Sequence, residues 1–370
     1  MDTEQYFEHL NEKIEKNYSI AKKARALGLD AENKVETSLA LSMAEKVVKL
    51  ISTKYSQLDN LKVVERILEL EKRYGSLSAS VAFVIAEEVS KEVFCKFNTK
   101  IEAIDAGIRV GFAYITLGVV SSPIEGFTEI KSGRTDLGQE YLKAYFSGPI
   151  RSAGTTASCV VLMLIDYLRQ KLGYAKYDPT EEECKRASIE IFDYHERVTN
   201  LQYCPTEEEM MFISKNIPIQ ICGDPTEKKE VSNYRDLRRI ETNFIRGGVA
   251  LIMAEGLAQK ASKGLRILKE VQENGLDVKD WEWLDDYVLL HEKRTSGKIK
   301  GVDGPTYLKD LVAGRPVFGY PGKGFRFRYG RCRNTGFSAV GIHPATMVAT
   351  NNFIAIGTQL KIEKPTRSLR

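Results

Sequence analysis

The residues best suited to chemistry stand near the C-terminal end, in Gly324-Phe325-Arg326-Phe327-Arg328-Tyr329-Gly330-Arg331-Cys332-Arg333-Asn334. Side chains alternate between the two faces of a strand, so a strand here places Phe325, Phe327 and Tyr329 on one face and Arg326 and Arg328 on the other. Between Leu311 and Val340 there are six basic residues, Arg315, Lys323, Arg326, Arg328, Arg331 and Arg333, and no acidic one. A guanidinium can donate two hydrogen bonds at once to a phosphate through its planar fork. With no local carboxylate to pair them, these side chains are expected to meet a nucleic-acid backbone, together with Asn334. The alternative is an edge strand with a buried aromatic face and a solvated arginine face. His343, followed by Pro344, either touches DNA or closes a turn.

A second candidate is Ser147-Gly148-Pro149-Ile150-Arg151-Ser152-Ala153-Gly154, leading into a helix. Small residues at a helix start expose backbone N–H groups and the positive end of the helix dipole, and Arg151 beside Ser152 would complete a phosphate pocket. There is no GxxxxGK[ST] pattern, so this is not a P-loop, and a plain turn with Ser152 as N-cap is the alternative. Arg246-Gly247-Gly248 carries the same ambiguity. Other catalytic templates are missing: no GxSxG, HExxH or GxGxxG occurs. The histidines at 9, 195, 291 and 343 are far apart, and His195 is expected on a helix surface. Two-metal phosphoryl transfer needs clustered carboxylates, yet residues 294–370 hold only Asp303, Asp310 and Glu363.

The elements that would position these groups follow from periodicity. Stripes at Phe7, Leu10, Ile14 and Tyr18, at Val35, Leu39, Met43, Val47 and Leu50, and at Leu61, Val64 and Leu68 predict helices through residue 118. Asp30 and Asp59 are expected as N-caps, Gly28 and Gly75 as stops. Strands are expected at 127–130, 141–146 and 217–222, and helices at 152–172 and 180–198, with capping boxes at Thr180 and Thr206. A long helix is expected from about Tyr234 to Glu273, broken at Gly247-Gly248. Seven glycines and three prolines between Lys293 and Gly324 mark a loop-rich joint. Beyond it come strands at 324–330 and 352–363, with a short helix begun by Pro344 between them. The fold class is α+β: a helical region 1–118, a mixed α/β domain 119–293, a joint 294–324 and a basic β domain 325–370.

Composition sets the wider bounds. The 370 residues are 43% apolar and 28% charged, an ordinary globular balance that excludes wholesale disorder. The longest apolar stretch, Val110 to Val120, is too short for a membrane span. The N-terminus carries no secretory or transit pattern. The closest of the six cysteines are 18 residues apart, so they read as reduced thiols of a cytoplasmic protein and form no zinc or redox motif. Net charge is +4, unevenly spread: residues 294–370 carry 14 basic against 3 acidic residues, which points to a polyanionic partner at that end.

Several blocks together resemble a known family. Tyr145-Phe146-Ser147-Gly148-Pro149-Ile150-Arg151-Ser152-Ala153-Gly154, then Leu201-Gln202-Tyr203 with Pro205-Thr206-Glu207-Glu208-Glu209, are similar to signatures of the archaeal family D DNA polymerase large subunit. So are Arg235-Asp236-Leu237-Arg238-Arg239-Ile240-Glu241-Thr242-Asn243 with Arg246-Gly247-Gly248, the run Phe325 to Gly336, Gly341 to Met347, and Phe353 to Lys361. The resemblance covers almost the whole chain in order. It implies a replicative DNA-directed DNA polymerase that acts on a primer–template with Mg²⁺. The family works as a heterodimer with a small subunit carrying the 3′–5′ exonuclease, and a sliding clamp joins the complete enzyme. It also implies a helical anchor region, a KH-like domain and a core of double-psi β-barrels, the first left incomplete here. Family members are about three times longer; their metal-binding aspartates and zinc modules lie beyond the part this sequence matches. The segment itself is therefore expected to be a scaffold and DNA-binding part, inactive alone. A non-catalytic nucleic-acid-binding or assembly module is the competing reading, and a phosphate-binding enzyme built on the 148–154 turn a third.

Overall fold

A computed structural model describes residues 3–28, 40, 42–118, 121–296, 317–318, 325–331 and 358–362, and the chain divides into two compact units, 1–41 and 42–370. In the first unit, helix α1 (Thr3–Ala26) ends just before Gly28 at φ +70°, the stop expected there. Asp30, Val35 and Leu39 lie outside the described residues.

In the second unit four helices come first: α2 (Met43–Ser52), α3 (Leu61–Tyr74), α4 (Ala79–Ser90) and α5 (Lys100–Ile115). Two details differ from the periodicity reading. The N-cap of α3 is Asn60, whose side chain accepts from Lys62 N–H, while Asp59 receives Lys49 Nζ at 2.8 Å. The buried stripe of α3 is Val63, Val64, Ile67 and Leu70; Leu61 is 76% exposed. The row that includes Val63, Ile67 and Leu70 has the correct helical spacing too, and it faces α2 and α4.

Helices α4 and α5 are apolar nearly all round because both are buried on two sides. Val81, Ile85, Val89, Val110 and Tyr114 join the core with α2 and α3; Phe83, Ile104, Ile108 and Phe112 join the core of the mixed domain. The two helices touch through glycine. A Cβ on Gly107 would sit 2.5 Å from Ala86 O, and one on Gly111 2.8 Å from Ala82 O, so neither position admits a side chain without movement.

The passage from helix to sheet is organised by a buried arginine. Arg109 donates to the carbonyls of Pro123 (2.6 Å), Ile124 (3.1 Å), Phe127 (2.7 Å) and Thr128 (2.5 Å), and pairs with Asp105 at 2.6 Å. Asp105 also accepts from Tyr55 at 2.5 Å. Strand β1 (Phe127–Arg134) then pairs antiparallel with β2 (Glu140–Phe146), with a register shift between Phe127 and Glu129. The expected strand at 217–222 is shorter, β3 (Gln220–Cys222), and runs parallel to β2 with Lys143 opposite Gln220.

Between β2 and β3 lie α6 (Thr155–Lys171), α7 (Glu181–Arg197) and α8 (Glu207–Asn216), and the Thr180 and Thr206 capping boxes are both formed. The helix expected from Tyr234 begins only at Gly247. Residues 234–246 instead turn their carbonyls toward Arg186, which approaches Tyr234 O (3.4 Å), Thr242 O (3.2 Å) and Phe244 O (3.5 Å). A helix would spend those carbonyls on its own N–H groups. From Gly247 the chain continues as α9 (Gly247–Ala250), a π-helical segment Leu251–Leu257, a 3₁₀ turn Ala258–Lys260, α10 (Ala261–Glu273) and α11 (Trp283–Ser296).

Toward the C-terminus, β4 (Val317–Phe318), β5 (Phe325–Arg331) and β6 (Thr358–Ile362) form an antiparallel sheet in that order. Strand β5 is its middle strand, so the edge-strand alternative does not hold. The helix expected after His343 lies outside the described residues, as does most of the joint. The described architecture is α+β and rich in helix. Among the described residues, no helix is long and apolar enough to cross a membrane.

Candidate nucleic-acid interface

Strand β2 delivers the chain into the 147–154 turn. Past Phe146 the backbone makes a 3₁₀ turn, Gly148–Ala153, with Pro149 near its start. It then passes Gly154 at φ +79°, a conformation that glycine adopts readily. Ser147 N–H donates to Gly126 O at 2.9 Å. Ser152 Oγ donates to Pro149 O (2.7 Å) and accepts from Ser121 (2.5 Å) and Ser122 (2.6 Å). Ser152 therefore fastens the turn to residues 121–122 and is not the helix cap. Gly154 holds the cap position, and no side chain caps the first N–H groups of α6.

Arg151 reaches across to the π-helical segment, where its Nη2 donates to Glu255 Oε1 at 2.8 Å. The same carboxylate oxygen accepts from Gln202 N–H at 2.9 Å. Glu255 is 2% exposed, and its Oε2 is buried without a hydrogen-bond partner. The Arg151 side chain is 38% exposed. Gly256 packs against Ser158 in the first turn of α6; a Cβ there would lie 2.9 Å from Ser158 Cβ. Lys260 follows close enough to feel Glu255; burial lowers its ammonium below the ordinary lysine range, and Lys263 adds to that.

The structure also brings Gly247-Gly248 to this turn, since a Cβ on Gly248 would stand 2.1 Å from Phe146 O. The arginine of that motif faces elsewhere. Arg246 is 4% exposed and gives its N–H, Nε and Nη2 to Glu190, at 2.7, 3.0 and 2.7 Å. The expectation that Arg246 meets phosphate is corrected on this geometry: its donors are committed inside the core. His195, expected on a surface, accepts from Leu201 N–H through Nδ1 at 2.9 Å and holds the chain leaving α7.

Of the C-terminal candidates, Arg326, Arg328 and Arg331 fall on β5, where Arg328 lies opposite Lys361 and Arg331 opposite Thr358. Phe327 faces Ile362 in register, and Tyr329 faces Leu360. Basic residues therefore pair with a basic or neutral neighbour, and apolar residues with apolar ones. Arg315, Lys323, Arg333, Asn334 and His343 lie outside the described residues.

Glu255, Lys260 and the backbone of Gln202 were not singled out from the sequence. The signal was present, because Glu255 is the one charged residue in the apolar run Val249 to Ala258. A cavity of about 630 Å³ lies elsewhere, lined by Ser90, Lys100, Gln139 and Tyr174 among others; Lys91 and Lys100 there are mixed with Glu92 and Glu140. Among the described residues, no three His, Cys, Asp or Glu side chains are placed to hold a metal ion.

Comparison with known proteins gives two matches in sequence order. Residues 5–289 match the family described as DNA polymerase II large subunit DP2, N-terminal, and residues 292–369 match its central domain. Curated relatives named DNA polymerase II large subunit include that of Nanoarchaeum equitans, 43% identical over 98% of this chain and 32% of its own length. Those of Methanosarcina barkeri and Archaeoglobus fulgidus are each 44% identical, over 98% and 97% of this chain and 31% and 30% of their own lengths. The chain thus spans about a third of the length of the relatives it matches.

Proposed function

This chain belongs to the family of DNA polymerase II large subunits, and from that premise we propose that it supplies the scaffold and a DNA-facing part of a replicative, primer–template-dependent DNA polymerase. The observation that carries the reading is the ordered match to both family domains, 5–289 and 292–369. The partners of that enzyme are a small subunit with 3′–5′ exonuclease activity and a sliding clamp. The KH-like and double-psi barrel assignments belong to the same reading; the three-stranded sheet with α6 to α8, and the basic antiparallel sheet around β5, are the parts they refer to.

Nucleotidyl transfer requires metal ions held by clustered carboxylates. The described residues do not offer such a set. In this reading, as the family resemblance implies, Mg²⁺ and zinc belong to parts of the complete polymerase beyond the matched segment, and no step is derived through them. What this chain contributes is charge and position. Arg326 and Arg328, with Lys361 opposite Arg328, contact the duplex backbone, and phosphate contacts carry little sequence information.

The test is primer extension alongside a salt series. The 370-residue chain alone should incorporate no nucleotide, whereas the full-length large subunit with its small subunit and Mg²⁺ should extend a primer. In that complete enzyme, Arg326→Gln with Arg328→Gln should reduce the slope of log affinity against log salt by about 1 to 2 units. Robust extension by the isolated chain would refute the scaffold reading, and an unchanged slope would remove the contact assigned to β5.

A further inference from the structure

The structure assigns a second phosphate contact, at Arg151, and we propose that Glu255 is the positioning residue that presents it. The inference rests on the polymerase reading and extends it to a surface some 170 residues upstream of β5. Three segments converge on one carboxylate oxygen: the 147–154 turn through Arg151 Nη2 (2.8 Å), the 201–203 loop through Gln202 N–H (2.9 Å), and the π-helical segment that carries Glu255 itself. π-Helical turns inside helices recur at functional sites because they reaim a side chain at a cost in regularity. Here the segment places a carboxylate, 2% exposed, beneath an arginine that is 38% exposed.

The chemistry of the pair explains the assignment. A buried carboxylate with one oxygen lacking a partner is held in place by the single guanidinium that covers it, so Arg151 stays fixed over Glu255. Guanidinium carries five N–H donors, and only one is engaged by Glu255. The others remain for an anion arriving from solvent. A planar, preoriented fork is suited to a phosphodiester oxygen pair. Lys260 brings one more positive charge close enough to the same carboxylate to feel it. Fixing a side chain before binding removes an ordering cost equivalent to about 2- to 12-fold in affinity. The carboxylate therefore helps binding even though its charge repels phosphate. The ligand is the sugar–phosphate backbone of the primer–template.

The experiment uses the full-length large subunit with its small subunit and a fluorescein-labelled primer–template duplex, read by anisotropy across a salt series. Arg151→Gln should weaken binding roughly threefold to tenfold and lower the magnitude of the salt slope by about 0.9, the value of one phosphate contact. Glu255→Gln keeps an oxygen acceptor for Arg151 and Gln202 and should stay within about twofold of the wild-type affinity. Glu255→Ala should fall to the level of Arg151→Gln, and the double variant Arg151→Gln/Glu255→Ala should be no weaker than Arg151→Gln alone. A residue that acts only on stability would shift the melting temperature without moving the slope. An unchanged slope in Arg151→Gln, measured on protein whose melting temperature shows it folded, overturns the assignment even if Glu255→Ala fails to fold. Additive effects in the cycle overturn the positioning role. If the wild-type complex shows no salt-dependent binding to the duplex, the polymerase reading itself fails, which is a separate result.

Discussion

The helices from 43 to 115 and the mixed region from 121 to 296 are built on different principles. In the first, most backbone groups are satisfied within the helices, and stability comes from apolar stripes: Val47, Val48 and Ile51 against Val63, Ile67 and Leu70. In the second, irregular backbone packs against the core, and several of its carbonyls take donors from side chains. Arginine supplies them. Arg186 approaches three carbonyls of 234–244, and Arg239 binds Asp178 O at 2.6 Å and Glu183 through Nε and Nη2. Arg169 joins Asp166, Tyr174 O and Asp280. Arg109 stands at the boundary, rooted in a regular helix and reaching into irregular chain. Regular structure can be held by nonspecific burial, whereas irregular chain packed against a core depends on a few polar side chains in fixed geometry.

The comparison is broken or sharpened by three variants. The largest effect is expected for Arg109→Met, which keeps volume but leaves four carbonyls without their donor and Asp105 with only Tyr55 and Lys54. Loss of one member of a buried pair typically costs about 3–5 kcal/mol, measured by guanidinium chloride unfolding. A cost under about 1 kcal/mol would mean that the carbonyl cage is incidental and would dissolve the contrast. Next is Ile67→Ala in the stripe of α3, expected to lose roughly 2–4 kcal/mol in the same assay, as buried large-to-small replacements do. The smallest effect concerns Asp178. Burial acts to raise its carboxyl, but hydrogen bonds from Arg239 and from Asp136 N–H outweigh it and hold it below the ordinary carboxylate range. Its folded value is lower than its unfolded one, so its stabilisation is complete above the unfolded value of about pH 4 and disappears as pH falls through the folded value. With a side chain 42% exposed, the contribution should stay below about 1 kcal/mol. Asp178→Asn should therefore flatten the acid limb of the stability–pH curve slightly; superimposable limbs would show that this outer member of the network contributes nothing.

Legibility in the sequence divides along the same line. Helices with one apolar face and both capping boxes, at Thr180 and Thr206, were readable because their signals lie within a few residues of one another. So were β1, β2 and β5. The misses are positions where a distant partner decides. Val64 was placed correctly, but Leu61 and Leu68 extend it into as good a stripe as Val63, Ile67 and Leu70 do until the neighbouring helices are placed. Residues 234–246 have no feature that forbids a helix; Arg186, about fifty residues earlier, draws their carbonyls away. Arg246 looked available because its partner, Glu190, sits on another helix. A usable local sign did exist: acidic and basic residues four apart in largely buried helical turns, as in Asp105/Arg109 and Arg186/Glu190, mark sites where a helix reaches outward to hold irregular chain.

The parallel pairing of β3 with β2 has a consequence for synthesis. Lys143 and its partner Gln220 stand seventy-seven positions apart, with α6, α7 and α8 between them. At translation rates of roughly 5–20 residues per second, about 4–15 s pass between the emergence of one and of the other. During that interval β1 and β2 can close as a hairpin, while the outer rim of β2 waits with unpaired amides. The nascent chain then carries an open sheet margin, and the three helices made in the meantime are what can shield it until the last strand arrives.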